Sequence, residues 1–437
     1  MTQNTFRVIT LGCKVNQYES ACLEKRLKET GWNPAGRDEK ADLVVINTCI
    51  VTQRASYQSR QAIRKAIREN PGCIAAAVGC YGQVFPDELS GIDGLSIISG
   101  NADKLSIPDY LGKIPQKYGP CIISGDFSTK GSFDYSPSRA ISDRTRASLK
   151  IQDGCDSFCS YCIVPFARGP VRSLEPSKVI DSLHCLSEEG YKEAVLTGIH
   201  LGRYGTDQGN KISLKTLLAK IEDEGLPIRI RLSSLEPNEI DHELIEMIAA
   251  SKRLCRHFHI PLQSGDENIL KRMNRHYTPG DFAGLVELIQ EKIPLAAIGL
   301  DVIAGFPGED AHAHNNTFSF ISDLPVSYLH VFPYSPRNGT AAAGFPGQVN
   351  QKLIKERATE LRDLGRKKRA AFHRLCVGKE FSVITKGRHP QKKDMIEGIS
   401  DNYLNIIFSS SRLLKNTLQT VQVIETGADW IMGKAVD

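Results

Sequence analysis

The chain has 437 residues, of which 41% are hydrophobic and 24% charged, and its formal net charge is +5. These are globular values, so wholesale disorder is excluded, and the length allows two to four domains. No run of about 18 apolar residues occurs, which excludes a membrane-spanning helix.

The opening MTQNTFRVITLGCKVNQYES lacks the basic, apolar and small-residue pattern of a secretory signal. The expectation is a cytoplasmic protein without a membrane partner. Thiols stay reduced in that compartment, so the twelve cysteines point to metal or catalysis in preference to disulfides.

Residues 1–100 alternate strand and helix. FRVITLG, ADLVVINT and CIAAAVG are strand candidates, with NQYESACLEKRLKETG and QRASYQSRQAIRKAIREN as helices between them. This pattern predicts a parallel sheet flanked by helices. Cys13, Cys49 and Cys80 stand just past the three strands. Carboxyl ends of adjacent parallel strands lie side by side, and ligands bind there in open α/β sheets. Topology thus gathers three thiols; the competing reading is three unrelated core cysteines.

Residues 101–147 are rich in Ser, Gly, Asp and Pro toward their end and read as a linker. From 148 onward strand and helix repeat six times, through SLKIQDG, EAVLTGI, IRIRLSSL, RHFHIPL, AIGLDVIAG and SYLHVFPYS. Six such units suggest a partial (β/α)6 barrel within 148–376, since a closed barrel uses eight. Polar clusters fall where these strands end, which is the face that carries chemistry in such barrels. The basic helix QKLIKERATELRDLGRKKRAAFHRLCVG comes next, and short strands over 377–437 read as a small all-β barrel. Between Gln351 and Lys393 stand 14 Lys/Arg and four acidic residues, a local excess of ten, so the remainder nets −5. That concentration favours a polyanionic partner over a merely solvated face.

Cys155, Cys159 and Cys162 in IQDGCDSFCSYCIVPFARG have the spacing C-x3-C-x2-C. Structural zinc wants four ligands, and the nearest downstream histidine is His184, in a helical pattern. Iron–sulfur clusters are built on such runs. A cubane with three protein thiolates keeps one iron open, as a catalytic metal site must.

With Tyr161 before the third cysteine, the motif resembles that of the radical S-adenosylmethionine enzymes. TLGCKVNQYES, VINTCIVT, VGCYGQ, RGPVRS, HIPLQSG and FPYSPRNGT resemble the methylthiotransferase family within that group, and the C-terminal segment resembles a TRAM RNA-binding module. LGCKVNQYE is similar to the branch acting on threonylcarbamoyladenosine in tRNA. The resemblance implies two [4Fe-4S] clusters, one on Cys155, Cys159 and Cys162 and an auxiliary one on Cys13, Cys49 and Cys80. It implies S-adenosyl-L-methionine as methyl and radical source, with insertion of a methylthio group at C2 of the adenine. Tyr161, Thr197, Gly198, Ser233, Glu236, Gln263 and Ile303 become candidate cofactor contacts, although the family's Gly-Gly-Glu triplet is replaced around Thr197. Implied partners are the tRNA anticodon stem-loop and an electron donor of flavodoxin or ferredoxin type, with the enzyme a monomer.

Lys379, Lys386, Arg388, Lys392 and Lys393 are candidates for RNA phosphates. Arg168 and Arg172 are candidates for the carboxylate of the modified base, their competing role being to bind the loop or other protein carboxylates. Cys22, Cys73, Cys121, Cys185, Cys255 and Cys376 read as packing or surface residues. His257, His259, His312 and His314 are given bland roles. Competing functions are action on isopentenyladenosine or a ribosomal protein, and a non-catalytic zinc-holding RNA adapter.

Overall fold

The computed structural model describes residues 4–112, 119–123, 125, 127, 145–209, 211–392, 394–409, 415–427 and 429–436. Lys393 and most of the expected linker lie outside them. The chain divides into two compact units that do not follow chain order.

The first unit is built on a parallel sheet. Its strands are Thr5–Thr10 (β1), Leu43–Thr48 (β2), Ile74–Gly79 (β3), Leu95–Ser99 (β4) and Cys121–Ile123 (β5), with Asn33–Pro34 pairing on the outer edge of β1. All six residues of LVVINT in β2 are buried, as expected when helices cover both faces of a parallel strand. Lys14–Glu29 (α1), Gln53–Glu69 (α2) and Cys80–Val84 (α3) follow β1, β2 and β3. The expected linker is corrected at one point, because Cys121–Ile123 pairs with β4 as a sheet strand. Three residues are too few to show periodicity. The unit also contains Lys150–Leu174, with the C-x3-C-x2-C loop and the short helix Val164–Arg168 (α4), and Ser335–Ala343.

The second unit holds Glu175–Tyr334 and the C-terminal segments. Its parallel strands are Ala147–Lys150 (β6), Glu193–Thr197 (β7), Arg229–Leu232 (β8), His257–Gln263 (β9), Ala297–Ala304 (β10) and Tyr328–Pro333 (β11). They form two three-stranded sheets, β8-β7-β6 and β9-β10-β11. Backbone bonds from Cys255 N to Ile230 O (2.8 Å) and Leu235 N to His259 O (3.0 Å) bridge them. β6 and β11 are the outer strands of this six-strand run, so the barrel is partial, as the repeat count suggested.

Gln351–Leu375 (α5) buries Ile354, Ala358, Leu361 and Leu364 on one stripe, the spacing of an amphipathic helix. The last strands, Glu380–Arg388 (β12), Met395–Ser400 (β13), Asn405–Ser409 (β14), Leu418–Thr426 (β15) and Ile431–Ala435 (β16), close into a barrel of order β12-β13-β14-β16-β15. Arg229 and Arg231 of β8 fix this barrel in place. Their guanidiniums donate to the carbonyls of Ser382 (2.6 Å), Ile399 (3.1 Å), Ser400 (2.9 Å) and Asp401 (2.9 Å). Fully buried Glu193 pairs with both guanidiniums, at 2.5 Å from Arg229 and 2.8 Å from Arg231. No helix among the described residues is long and apolar enough to cross a membrane.

Candidate functional site

Three thiols meet at the carboxyl edge of the first sheet. Cys13 caps α1 with extended backbone, Cys49 follows β2, and Cys80 opens α3. Gly12 holds φ +96°, and a Cβ there would lie 2.8 Å from Cys49 Cβ, so glycine is needed for the two loops to approach. Asn16 Nδ2 donates to the carbonyls of Leu11 (2.8 Å) and Thr48 (3.0 Å), tying the ends of β1 and β2. Ser59 Oγ accepts from Cys49 N (3.2 Å) and donates to Cys49 O (3.0 Å). Asn101 Nδ2 donates to Cys80 Sγ at 3.3 Å and to Ala167 O at 2.7 Å, linking this edge to α4.

Beside the thiols lies a buried ionic cluster. Arg168 Nη1 is 2.7 Å from Glu19 and 3.2 Å from Asp153, and its Nη2 donates to Asn16 Oδ1 at 2.5 Å. Lys150 bonds Glu19 (3.0 Å) and Asp153 (3.1 Å), and Lys104 also bonds Glu19. Three buried cations therefore face two buried carboxylates. Such a surplus is costly unless another negative charge is near. Burial raises the Cys13 thiol and pushes Cys49 up to about 11, although Arg168 opposes both. A metal centre binds the thiolate form, so its binding would release these protons. An oxidised cubane held by three thiolates is net negative, so the donor set and the surplus cation both fit one.

The second cysteine group lies in the same unit. Gly154 (φ +76°) admits no side chain, since a Cβ would come within 1.8 Å of Pro170 O. Cys155 N donates to Gly169 O (3.0 Å) and Cys162 N to Cys159 O (2.9 Å), which fixes the loop at both ends. Phe158 and Phe166 pack edge to face, their centroids 6.0 Å apart, and both are exposed. Tyr161 is half-buried between the second and third thiols.

In the other unit, the remaining cofactor candidates gather at the strand ends. Thr197 closes β7 and donates to Leu149 O (3.3 Å), with Gly198 next in the chain. Ser233 follows β8, and its Oγ is buried without a partner among the described residues. Gln263 ends β9 at φ +64°, where the register slips past Pro261. A left-handed non-glycine residue at a bulge is strain typical of ligand sites. Ile303 is nearly buried toward the end of β10. An orphaned hydroxyl and a strained amide on one strand edge fit a polar cofactor.

Residues 5–100 match the model of uncharacterized protein family UPF0004, and residues 149–321 match that of the Radical SAM superfamily. The chain is 37% identical over 431 residues to "Threonylcarbamoyladenosine tRNA methylthiotransferase MtaB" of Bacillus subtilis, covering 98% of this chain and 95% of that one. It is 31% identical over 437 residues to "tRNA-2-methylthio-N(6)-dimethylallyladenosine synthase" of Pelotomaculum thermopropionicum, covering 97% and 95%. The chain belongs to the radical S-adenosylmethionine methylthiotransferase family. The radical S-adenosylmethionine methyltransferase TsrM from Kitasatospora setae shares the fold, with a TM-score of 0.59 at 16% identity over 78% of this chain and 77% of that one.

As a methylthiotransferase, the protein is a radical S-adenosylmethionine enzyme that transfers a sulfur-containing group, and its family implies a [4Fe-4S] cluster and S-adenosylmethionine. Three residue expectations need correction in the methylthiotransferase. Arg168 is only 1% exposed and spent on Glu19, Asp153 and Asn16, so it offers RNA no surface. Arg172 donates to the carbonyls of Arg168 and Pro170, lies 3.6 Å from Asp153 and stacks on Phe127 at 4.8 Å. For both, the competing role of binding the loop or other protein carboxylates is the one observed. Glu236 is gripped by the guanidinium of Arg275, which occupies its carboxylate. Lys379, Arg388 and Lys392 are exposed, whereas Lys386 is bonded to Glu397 and Asn405 at 2.8 Å each.

Sequence reading missed two groupings. His259 joins Asp301 (3.0 Å) and His330, which is 3.3 Å from the same oxygen; the imidazoles hold the Asp301 carboxyl down at about 2 against its burial. His257 instead stacks on Tyr403 at 4.3 Å, the packing role expected. The second is the pair Ser56 and Arg337, bonded at 2.8 Å across 281 positions. Only the alternation of two histidines on one strand hinted at either.

Proposed function

We propose that this methylthiotransferase acts on tRNA, inserting a methylthio group at C2 of an N6-threonylcarbamoyladenosine beside the anticodon. One observation carries the two-centre part of that reading: Cys13, Cys49 and Cys80 converge in the same compact unit as the C-x3-C-x2-C loop. Asn101 bonds both Cys80 and α4, and Arg168 of α4 lies among the cysteines' acidic neighbours. The threonylcarbamoyl branch is supported by identity along nearly the whole of the Bacillus subtilis relative.

Cys155, Cys159 and Cys162 would hold the cluster that meets S-adenosylmethionine, and Cys13, Cys49 and Cys80 a second [4Fe-4S] cluster. When bound, these groups supply a carbon-centred radical and an activated, methylated sulfur, chemistry that no side-chain acid or base provides at an aromatic C–H. The protein's own part is placement. Glu19, Asp153 and their three cations lock the two cysteine groups to one scaffold. Ser233 offers the cofactor a buried hydroxyl, and exposed Lys379, Arg388 and Lys392 offer phosphates counter-charge. The electron donor is of flavodoxin or ferredoxin type, and the enzyme acts as a monomer in the cytoplasm.

The test is to offer the reconstituted enzyme two anticodon stem-loops, one threonylcarbamoylated and one isopentenylated, and to identify the product by mass spectrometry. Methylthiolation confined to the threonylcarbamoylated loop is expected. Product on the isopentenylated loop alone would move the protein to the other branch and leave the chemistry intact.

A further inference from the structure

A cavity of about 400 Å³ opens in the first unit, lined by Ser56, Tyr57, Arg60, Phe85, Glu88 and Arg337 among others. That volume is within the range of small-ligand sites. It adjoins the auxiliary thiols through one turn of α2. Ser59 binds the backbone of Cys49 on both sides, while Ser56, three residues earlier, accepts a hydrogen bond from Arg337 Nη2 at 2.8 Å.

The wall chemistry is short of an acceptor. Arg337 is 7% exposed, and its Nε is buried without a partner among the described residues. Its guanidinium lies 5.9 Å from the centre of the Phe85 ring. Arg60 bonds the Tyr81 hydroxyl and is 3.9 Å from Glu88, and Tyr81 donates to Glu88 at 2.6 Å. Two guanidiniums thus face one carboxylate that a phenol already shares. Tyr57, 56% exposed, offers a flat apolar face at the cavity. Guanidinium forks of this kind favour carboxylates and planar carbonyl groups, and aromatic faces favour stacked rings.

We propose that this cavity binds the N6 substituent of the target base: its carboxylate against Arg337 and Arg60, its planar carbamoyl group beside Phe85 and Tyr57. The inference rests on the threonylcarbamoyladenosine reading and adds the residues that select it. C2 and C6 of a purine flank the same ring nitrogen, so anchoring the N6 group next to α2 keeps C2 on the side of Cys49. An isopentenyl group has no oxygen, and in this cavity it leaves the Arg337 Nε buried and unpaired, which disfavours it.

The experiment measures dissociation constants of the iron-loaded protein for anticodon stem-loops bearing threonylcarbamoyladenosine, isopentenyladenosine or plain adenosine. Wild type should favour the threonylcarbamoylated loop over the plain one by about 10- to 100-fold, the range for satisfying a buried donor. Arg337→Gln should bring that ratio down toward one, and Arg337→Lys, which keeps the charge but not the fork, should fall between. Iron content and circular dichroism report whether each variant is folded. If Arg337→Gln loses its iron, Arg60→Gln decides by the same ratio. A folded variant that keeps the wild-type ratio overturns the assignment of the cavity while leaving the substrate reading in place. A wild-type protein with no preference, or one that prefers the isopentenylated loop, overturns the substrate reading and this inference with it.

Discussion

Arg168 ends α4 six positions beyond Cys162, and its charge is consumed by groups far away in sequence, Glu19 among them at a separation of 149. Removing one member of a buried ionic group strands the others, a loss of about 3–5 kcal/mol. Arg168→Met is therefore expected to lower the unfolding free energy by that amount in urea titrations. Arg172→Met, which frees a partly exposed contact, should cost at most about 1 kcal/mol. Equal losses would show that the cluster does not act as a unit. The cysteines divide in another way. Cys159→Ala should abolish reductive cleavage of S-adenosylmethionine, whereas Cys49→Ala should retain cleavage and lose methylthiolated product. A Cys49 variant with a normal yield would remove the auxiliary centre from the reaction. These thiols were legible because strand ends in a parallel sheet are forced together, whereas the direction of a basic side chain after a loop depends on partners that no local pattern names.

At the scale of elements, β8 carries an anomaly in plain view: Arg229 and Arg231 alternate with apolar residues in a strand whose every position is buried. Period-two alternation puts both arginines on one face, yet it names neither Glu193 nor the backbone carbonyls more than 150 positions downstream. The strand could be read; the interface it makes could not. Glu193, caged by the two arginines, has its carboxyl held down at about 2 against an ordinary 4.5, despite burial that acts the other way. A depressed carboxylate stabilises the fold above its unfolded pKa, and that stabilisation is lost as pH falls toward the folded value. The stability advantage of wild type over Glu193→Gln should therefore be full above about pH 4.5 and shrink by about 3 kcal/mol by about pH 2. Guanidine titrations of both proteins across that window are the measurement. A constant difference would mean that the carboxyl titrates alike in the folded and unfolded states, so that the two arginines do not hold it down.

For the molecule as a whole, the cations between Gln351 and Lys393 divide into two classes. Arg357 is buried against Glu309, and Lys368 donates to the carbonyls of Ser322 and Leu324, so neither reaches RNA. Of the residues expected to meet RNA phosphates, Lys379, Arg388 and Lys392 are exposed. Replacing all three with Gln should flatten the log–log salt dependence of tRNA affinity by about 2, at roughly 0.7 per phosphate contact. An unchanged slope would remove the C-terminal barrel from RNA binding. Deleting the barrel is a poorer probe than these substitutions, because Arg229 and Arg231 would lose their carbonyl acceptors and Phe372 and Cys376 their cover.

The cysteine-bearing unit is assembled from three separated pieces of chain, and the last, Ser335–Ala343, closes on the first two. Gln53 N donates to Ser335 Oγ at 3.0 Å, Arg337 to Ser56, and Ala342 N to Ser160 O at 2.8 Å. Emerging from a ribosome at about 5–20 residues per second, the chain presents Cys80 roughly 10–50 s before that closing piece exists. All six thiols are out of the exit tunnel while their housing is still unfinished. A metal centre inserted during that interval would enter through an open edge, before the nine late residues arrive to close it.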